Sequence, residues 1–193
     1  MKKLFRTLLV LSVLSTTFLA CKKPKKDDPA PENPVNPGGG DEESFSRIEL
    51  KFTDSANTAN VFIVKYRTTG SDTIKLNPNK TYLSQVFIYD DTKNPVNVIS
   101  DEIKKEQNYH RFHYTFTPVI GSGASLQSFI TDLDTNVPQQ MVGLTFKLKA
   151  GTGFGNGTLN MNLRHFANGI PKDNNPAGGE QDLSINFVVK VAL

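Results

Sequence analysis

Hydrophobic and polar residues alternate along most of the chain after Phe45, and this alternation predicts β-strands. In Arg47–Phe52 every second residue is apolar, and successive strand residues point to opposite faces of a sheet. One face of this strand would therefore be buried and the other solvated. The same pattern recurs in further runs: Val61–Tyr66, Thr81–Tyr89, Tyr109–Thr117, Leu126–Leu133, Gly143–Leu148, Thr158–Phe166 and Leu183–Val191.

Turn-forming residues separate these runs, as in Asn77-Pro78-Asn79 and Gly121-Ser122-Gly123. Short strands at regular spacing with turn signals between them favour a sandwich or a barrel. We therefore predict an all-β domain over residues 45–193, an immunoglobulin-like sandwich of two antiparallel sheets with about 8–10 strands. Ser100–Gln107 begins as a capping box would but has Ile103 as its single apolar residue, so a turn of helix and an edge strand are both open.

The first residues follow a different pattern. Basic residues in 2–6 precede the apolar run Leu8–Leu14, and the small residue Ala20 ends the segment. A basic start, a short apolar run and a small residue before a cleavage site are typical of a secretory signal. The run is shorter than the roughly 20 apolar residues that a membrane-spanning helix needs. We therefore predict that residues 1–20 are a signal peptide.

The single cysteine of the chain, Cys21, follows directly after this segment. The arrangement resembles the lipobox of bacterial lipoproteins, which implies that Cys21 becomes the first residue of the mature chain and carries fatty acyl chains such as palmitate. Each buried methylene contributes about 0.8 kcal/mol, so two or three chains anchor a protein durably. The alternative is a plain signal peptide with a chance cysteine. A lone cysteine also excludes an intrachain disulfide.

Residues 21–44 predict a disordered tether. Proline, glycine and charged residues dominate this stretch, and few of its side chains could be buried to offset the entropy of ordering. Lys26-Asp27-Asp28 resembles the signal that sends some Bacteroidota lipoproteins to the outer face of the outer membrane. The alternative for this segment is a solvated charge run whose lysines touch anionic headgroups. We expect an outer-membrane location, with surface exposure as one possibility.

The charge balance argues against nucleic acid as a partner. The precursor has a formal net charge of +3, and Lys2, Lys3 and Arg6 of the signal peptide account for three positive charges, so the mature chain is formally neutral. Nucleic-acid binding domains usually carry a basic patch or an overall positive charge.

The histidines are candidate metal ligands. On a strand, His110 and His113 would point to opposite faces, so the HRFH motif does not predict a local chelate. His110 and His165 each end an inward apolar stripe, and with Glu180 or Asp182 they could converge on a first-row transition metal such as zinc or copper. The predicted set is His110, His165 and Glu180. The alternative is two buried histidines that are hydrogen-bonded to backbone or carboxylate.

Asp132, Asp134 and Asn136 have the alternate spacing of oxygen ligands in calcium loops. The segment is no EF-hand, because Val137 and Gly143 stand where that motif needs a glycine and a glutamate. A looser calcium site in a loop is one interpretation of these residues. A tight turn, in which Asp and Asn stabilise the backbone, is the other.

Two loops are candidates for binding, and the sequence lacks a recognisable catalytic motif. Gly151–Gly157 predicts a flexible hairpin tip, and the long polar loop Asn168–Gly179 predicts, together with it, a binding edge. No GxSxG motif is present and the histidines are expected to face inward, so no catalytic set emerges. We therefore expect a protein that is not an enzyme and has no cofactor beyond the lipid on Cys21.

Several segments together carry a family resemblance: IELKFTD, KYRTTGSDTIKLNPNKTYLSQVFIYDD, GTLNMNLRH and GGEQDLSINFVV. The chain resembles a family of small, uncharacterised Bacteroidota lipoproteins, often loosely labelled as containing a type 1 periplasmic-binding domain. In that family histidines recur at the positions of His110 and His165, and neighbouring genes often encode TonB-dependent outer-membrane receptors. The resemblance implies a membrane-anchored accessory or binding module that assists such a receptor. A surface adhesin or carbohydrate-binding module is the alternative.

Overall fold

The computed structural model describes residues 45–167, 170 and 172–193. The predicted signal peptide, Cys21 and the tether lie outside these residues. The described part forms strands β1 (Arg47–Asp54), β2 (Asn57–Arg67), β3 (Gly70–Ser71), β4 (Ile74–Leu76), β5 (Thr81–Asp90), β6 (Asn97–Val98), β7 (His110–Pro118), β8 (Leu126–Ile130), β9 (Thr145–Ala150), β10 (Gly155–His165) and β11 (Glu180–Val191), with helix α1 (Ile99–Lys105) between β6 and β7.

The strands form two sheets that pack face to face. The first sheet has the order β3-β2-β1-β5-β9-β8, with β6 beside the end of β5, and the second has the order β4-β11-β10-β7. All pairs are antiparallel except β4 and β11. The all-β sandwich is therefore confirmed. The alternating pattern did not predict β3, β4 and β6, because strands of two or three residues are too short to show a period.

The apolar side of each strand builds the core. In β1 the side chains of Ile48, Leu50 and Phe52 are inaccessible to solvent, while the residues between them are partly exposed. Phe112 of β7 and Phe187 of β11 meet them from the second sheet and are also fully buried. Burying one large apolar side chain contributes about 1.5–3 kcal/mol, so the two opposed stripes hold the sheets together.

The short helix covers one part of this core. Ile99 and Ile103 stand four residues apart, so they share one helix face, and both are buried. The turn of helix, one of the two open alternatives, is thus the one that forms. The capping box does not form, because the helix begins after Val98 and no side chain caps its first N–H groups. Ser100 lies inside the helix and is buried.

The two ends of the sandwich carry different loops. Strand β10 runs from Gly155 at one end to His165 at the other, about 35 Å away at the usual rise per residue. The glycine loop precedes β10 and the long polar loop follows it, so the predicted joint binding edge is wrong. The glycine loop is also no hairpin tip, because it joins β9 of the first sheet to β10 of the second.

The start of the domain lies at the same end as His165, which we call the histidine end. Arg47 of β1 pairs with Tyr89 at the end of β5. Strand β9 begins at this end, and just before it the carbonyl of Val142 accepts a hydrogen bond from the N–H of Phe112, near the start of β7. The strand directions therefore bring the N-terminal edge of the domain and the histidines to one end.

Close backbone approach explains the glycines of the β9–β10 connection. A Cβ atom on Gly153 would collide with the backbone carbonyl oxygen of Gly123, and one on Gly151 would collide with the hydroxyl of Ser125. The N–H of Gly123 donates to the carbonyl of Phe154 at 3.1 Å, which fixes the two loops side by side. This loop is therefore packed rather than a free tip.

Among the described residues, no helix has the length and apolar character to cross a membrane.

We expect Gly153→Ala to destabilise the fold by about 1–3 kcal/mol, because the added methyl forces two backbone segments apart. Urea denaturation of the wild type and the variant measures the loss. Thr152→Ala is the matched control, since Thr152 is exposed in the same loop and its truncation should change the free energy of unfolding by less than about 0.5 kcal/mol. Equal stability of the two variants would contradict the packed loop.

Candidate metal site

Two histidines and one aspartate converge at the histidine end. Each of His110, His165 and Asp182 offers a ligand atom, and these atoms all lie within 4.8 Å of one another. The imidazole rings of His110 and His165 stack with centroids 4.7 Å apart and planes inclined by 13°. The two histidines pair directly across β7 and β10, so their side chains share the inner face of the second sheet.

A β-bulge brings Asp182 to this face. The ladder between β10 and β11 pairs Leu163 with Leu183 but Arg164 with Gln181, so β11 has one extra residue there. The side chain of Gln181 accepts a hydrogen bond from Asn162 Nδ2 on the outer face, at 3.1 Å. Because a bulge breaks the strict alternation of a strand, Asp182 joins the histidines.

The structure thus brings together His110 and His165 of the predicted set, with Asp182 beside them in place of Glu180. Glu180 pairs with His165 in the ladder, but its side chain is exposed and stands outside the group of three. The sequence offered both acidic residues as alternatives, and strict alternation gave no means to choose Asp182. The signal that decides between them is the bulge, and no residue pattern in β11 announces it.

The hydrogen bonding of His110 leaves one ring nitrogen free for the site. His110 Nδ1 lies 3.1 Å from the carbonyl oxygen of Glu106, an acceptor that requires the proton on Nδ1. The lone pair of Nε2 then faces Asp182, whose Oδ2 lies 3.6 Å away. A backbone carbonyl that orients the second nitrogen of an imidazole is the usual support of a metal-binding histidine.

Burial shifts the pKa values of both partners. Burial lowers the pKa of the His110 imidazole, and the nearby His165 and Lys172 lower it further, while the Glu106 carbonyl opposes them. Burial raises the pKa of Asp182 to about 6. At neutral pH a neutral imidazole lone pair and a carboxylate therefore face each other. Two acceptors at this distance repel unless a proton or a metal cation lies between them.

The ligand atoms lie close together but farther apart than a bound ion would hold them. Zinc binds nitrogen and oxygen ligands at about 2.0–2.2 Å, which corresponds to ligand atoms about 3.4 Å apart in a tetrahedron. The three atoms lie within 4.8 Å of one another, so the side chains would have to turn toward an ion to bind it. Three protein ligands leave the fourth position open to water or to an incoming ligand.

His113 belongs to the opposite face, as the sequence predicts. It pairs with Asn162 across β7 and β10, and its neighbours on the outer face are Arg111 and Arg164. Burial and the two arginines together lower the pKa of His113 to about 4, and Asp173 from the polar loop opposes them. The HRFH motif thus divides its histidines between two environments.

We expect the stability of the protein to fall as the pH drops from about 6.5 to 4, in part because of His113. The unfolded chain binds a proton near pH 6.5 and the folded chain near pH 4, so protonation favours unfolding between these values. Allowing for its partial exposure, this residue contributes about 1 kcal/mol between pH 7 and 5. Urea denaturation at both pH values should show a smaller loss for His113→Gln. An unchanged loss would contradict the assignment.

The residues of the calcium interpretation have other partners. Asp132 accepts the backbone N–H groups of Gly143 and Leu144 at 2.8 and 3.0 Å. Asp134 accepts from the backbone of Asn136 and Gln140 and forms an ion pair with a buried lysine. These oxygens stabilise the turn between β8 and β9 and are not free to surround a cation. These contacts therefore favour the turn over the predicted calcium site at Asp132, Asp134 and Asn136.

Lys172 is the buried lysine and was not singled out from the sequence. Its Nζ lies 2.8 Å from Asp134 Oδ2, and both side chains are almost completely buried. The same ammonium donates to the carbonyls of Gln107, His110 and Met141 at 2.7, 3.1 and 3.2 Å. One side chain of the polar loop thereby ties together α1, β7 and the β8–β9 turn around His110.

We expect Lys172→Met to cost about 3 kcal/mol, because it leaves the buried Asp134 carboxylate without its counter-charge. The double variant Lys172→Met/Asp134→Asn should recover part of that loss, since no unpaired charge then remains. Chemical denaturation of both variants and the wild type forms the test. A single variant that loses less than about 1 kcal/mol would show that the pair contributes little.

A scan against protein-family models, a search of curated proteins and a search of solved structures each found no match to this chain.

Proposed function

We propose that this protein is a lipid-anchored, non-catalytic binding module of the cell envelope, and that its ligand is a transition-metal ion held by His110, His165 and Asp182. The lipid anchor rests on the sequence around Cys21. The ligand rests on the convergence of three metal-binding side chains at one end of the sandwich. Both parts agree with an accessory role beside an outer-membrane receptor, which the family resemblance implies.

The observation that carries the metal proposal is the contact between His110 and Asp182. Nε2 of a neutral imidazole and a carboxylate oxygen face each other at 3.6 Å at the edge of the core. His110 is buried and Asp182 is partly exposed, and two acceptors cannot hydrogen-bond to each other. A bound cation satisfies both, with the stacked ring of His165 as the third ligand.

The ligand types favour zinc or copper over harder cations. Imidazole suits zinc and copper, whereas calcium and magnesium prefer sites built of oxygen alone. An open fourth position allows an incoming ligand to take over the ion. This is the chemistry expected of a module that passes an ion to or from a partner, and it requires no reaction on a substrate.

The position of the site agrees with a tethered module. The domain begins at the histidine end, so the predicted tether joins it there. Fully extended at about 3 Å per residue, residues 21–44 could reach several nanometres from the bilayer.

We expect the purified full chain, prepared without a histidine tag, to bind one Zn²⁺ or Cu²⁺ ion per molecule in isothermal titration calorimetry. His165→Gln and Asp182→Asn should each weaken binding at least about tenfold, because each removes one ligand from a site that has three. His110→Gln tests the third ligand and is read together with its circular dichroism spectrum, because this residue is buried.

Glu180→Gln is the matched control, because Glu180 is an exposed carboxylate next to the site and outside the group of three. Its affinity for Zn²⁺ should equal that of the wild type within about twofold. Weak binding that Glu180→Gln impairs as much as Asp182→Asn would mean a diffuse acidic surface and would contradict the site. Calcium should not compete.

The lipid anchor has a separate test. We expect mass spectrometry of the chain expressed with its first residues to show an N-terminal cysteine that carries acyl chains, and the protein to fractionate with membranes. Cys21→Ser should prevent acylation. The variant should then either leave the membrane fraction or keep its signal peptide. An unmodified thiol on Cys21 in the mature wild type would contradict the anchor while leaving the metal proposal untouched.

The alternative function, a surface adhesin or carbohydrate-binding module, stays a prediction. The exposed aromatic side chains that could stack on sugar rings are Tyr109, Phe129 and Phe154, and they lie on three separate segments.

A further inference from the structure

The outer face of the second sheet carries two arginines side by side. Arg111 of β7 pairs directly with Arg164 of β10, so their side chains leave the same face from neighbouring strands. Like charges placed directly opposite in a sheet destabilise it unless something compensates them. The polar loop 172–179 lies against both: Arg111 Nη2 donates to Asn174 Oδ1 at 2.5 Å, and Arg164 Nε donates to the Pro176 carbonyl at 2.7 Å.

Arg111 is buried without a carboxylate partner. Only 4% of its surface is exposed, and among the described residues no acidic side chain lies within ion-pair distance of its guanidinium. Its contacts are a neutral amide and, at 3.7 Å, the sulfur of Met141. The Nε atom is buried and has no hydrogen-bond partner at all. Burying a cation in this way is costly unless an anion accompanies it.

The next cross-strand pair on this face also contains buried polar atoms without hydrogen-bond partners. His113 and Asn162 are register partners, and His113 Nε2 and Asn162 Oδ1 are both buried without a hydrogen-bond partner. Three of the four buried polar atoms without partners in the described residues therefore belong to two adjacent cross-strand pairs. These three atoms are two nitrogens and one acceptor oxygen. They belong to or lie next to the paired guanidinium groups of Arg111 and Arg164, which together carry two positive charges.

Asp173, the acidic residue that acts on Arg111 and His113, does not form an ion pair with this cluster. Asp173 of the polar loop acts electrostatically on Arg111 and His113, but its Oδ1 accepts the backbone N–H of Asn175, and it forms no ion pair with either arginine. The low pKa of His113, about 4, reflects burial and the same uncompensated positive charge.

We propose that Arg111, His113, Asn162 and Arg164 form a binding site for a phosphate group that carries a P–OH, either hydrogen phosphate or the singly protonated head of a phosphate monoester. Arginine is the side chain best suited to oxyanions because its N–H groups form a planar fork. Arg111 Nε and the Nε2–H of His113 donate to phosphate oxygens, and the guanidinium of Arg164 supplies the second positive charge. The remaining P–OH group donates to Asn162 Oδ1.

The acceptor oxygen distinguishes phosphate from other anions. Sulfate and carboxylate ions have no proton to donate at neutral pH, so either would leave Asn162 Oδ1 unsatisfied. We therefore expect a preference of about tenfold for hydrogen phosphate, which corresponds to about 1.4 kcal/mol and lies within the usual cost of an unpaired buried acceptor. The site is independent of the metal ligands, because it occupies the outer face and they occupy the inner face.

The test is a titration of the metal-free full chain with sodium phosphate at constant ionic strength, followed by ¹H–¹⁵N NMR of the arginine Nε–H and histidine ring groups. We expect saturable shifts of Arg111 Nε and His113 Nε2 and an increase in the pKa of His113. Sodium sulfate should produce the same shifts only at tenfold or higher concentration. No saturation, or equal effects of phosphate, sulfate and chloride, would overturn the proposal.

Two variants distinguish phosphate binding at this site from a general effect of positive charge on the protein. Arg164→Gln should weaken phosphate binding at least tenfold, and because Arg164 is partly exposed the fold should persist. Arg67→Gln removes an exposed arginine of the first sheet and should leave the affinity unchanged. Equal losses in both variants would contradict the site. Titration with a methyl phosphate monoester then decides between a free ion and a phosphorylated ligand, by whichever binds more tightly.

Asp182→Asn is included so that the two proposals can fail separately. It should retain phosphate binding while losing the metal. Loss of phosphate binding in this variant, with an intact circular dichroism spectrum, would show that the shifts arise from the metal site and would overturn the phosphate proposal.

Discussion

The packing of the two inward apolar faces is the interaction on which the rest of this protein depends. Strands β7 and β10 each present an unbroken apolar stripe to the core, and His110 and His165 are the inward residues at the ends of those stripes. Register between the strands cannot slip by one residue without exposing the whole stripe. The two imidazoles are therefore brought together by the same force that closes the sandwich, and no separate interaction is needed to pair them.

The β-bulge in β11 determines which acidic side chain lies beside the two histidines. The bulge opposite Arg164 reverses the direction of the side chains in β11, so that Asp182 meets the histidines and Gln181 meets Asn162. Without the bulge the inner face would hold the two histidines without the carboxylate of Asp182. The cost of the bulge is one unpaired ladder position at the sheet's end, which is where bulges are commonly found next to functional sites.

The polar loop after β10 contacts residues on both faces of the second sheet at the histidine end. On the inner face, Lys172 binds three carbonyls and Asp134 beside the proposed metal site. On the outer face, Asn174 and Pro176 contact the arginines of the proposed phosphate site. Adjacent residues of one strand point to opposite sides, so Arg111 and His110 take part in different sites although they are neighbours in sequence. The loop was expected to form a binding edge, and its contacts support that role at the histidine end alone.

The sequence by itself determined the eight long strands, the two-sheet architecture and the inward position of His110 and His165, because a period of two leaves an unambiguous trace in residue order. It could not choose between Glu180 and Asp182, foresee the Lys172–Asp134 pair or exclude calcium at Asp132. Those features depend on a bulge and on a loop that folds back over 60 residues of intervening chain, and neither leaves a local pattern. Only tertiary contacts decide which polar atoms are satisfied and which are left for a ligand.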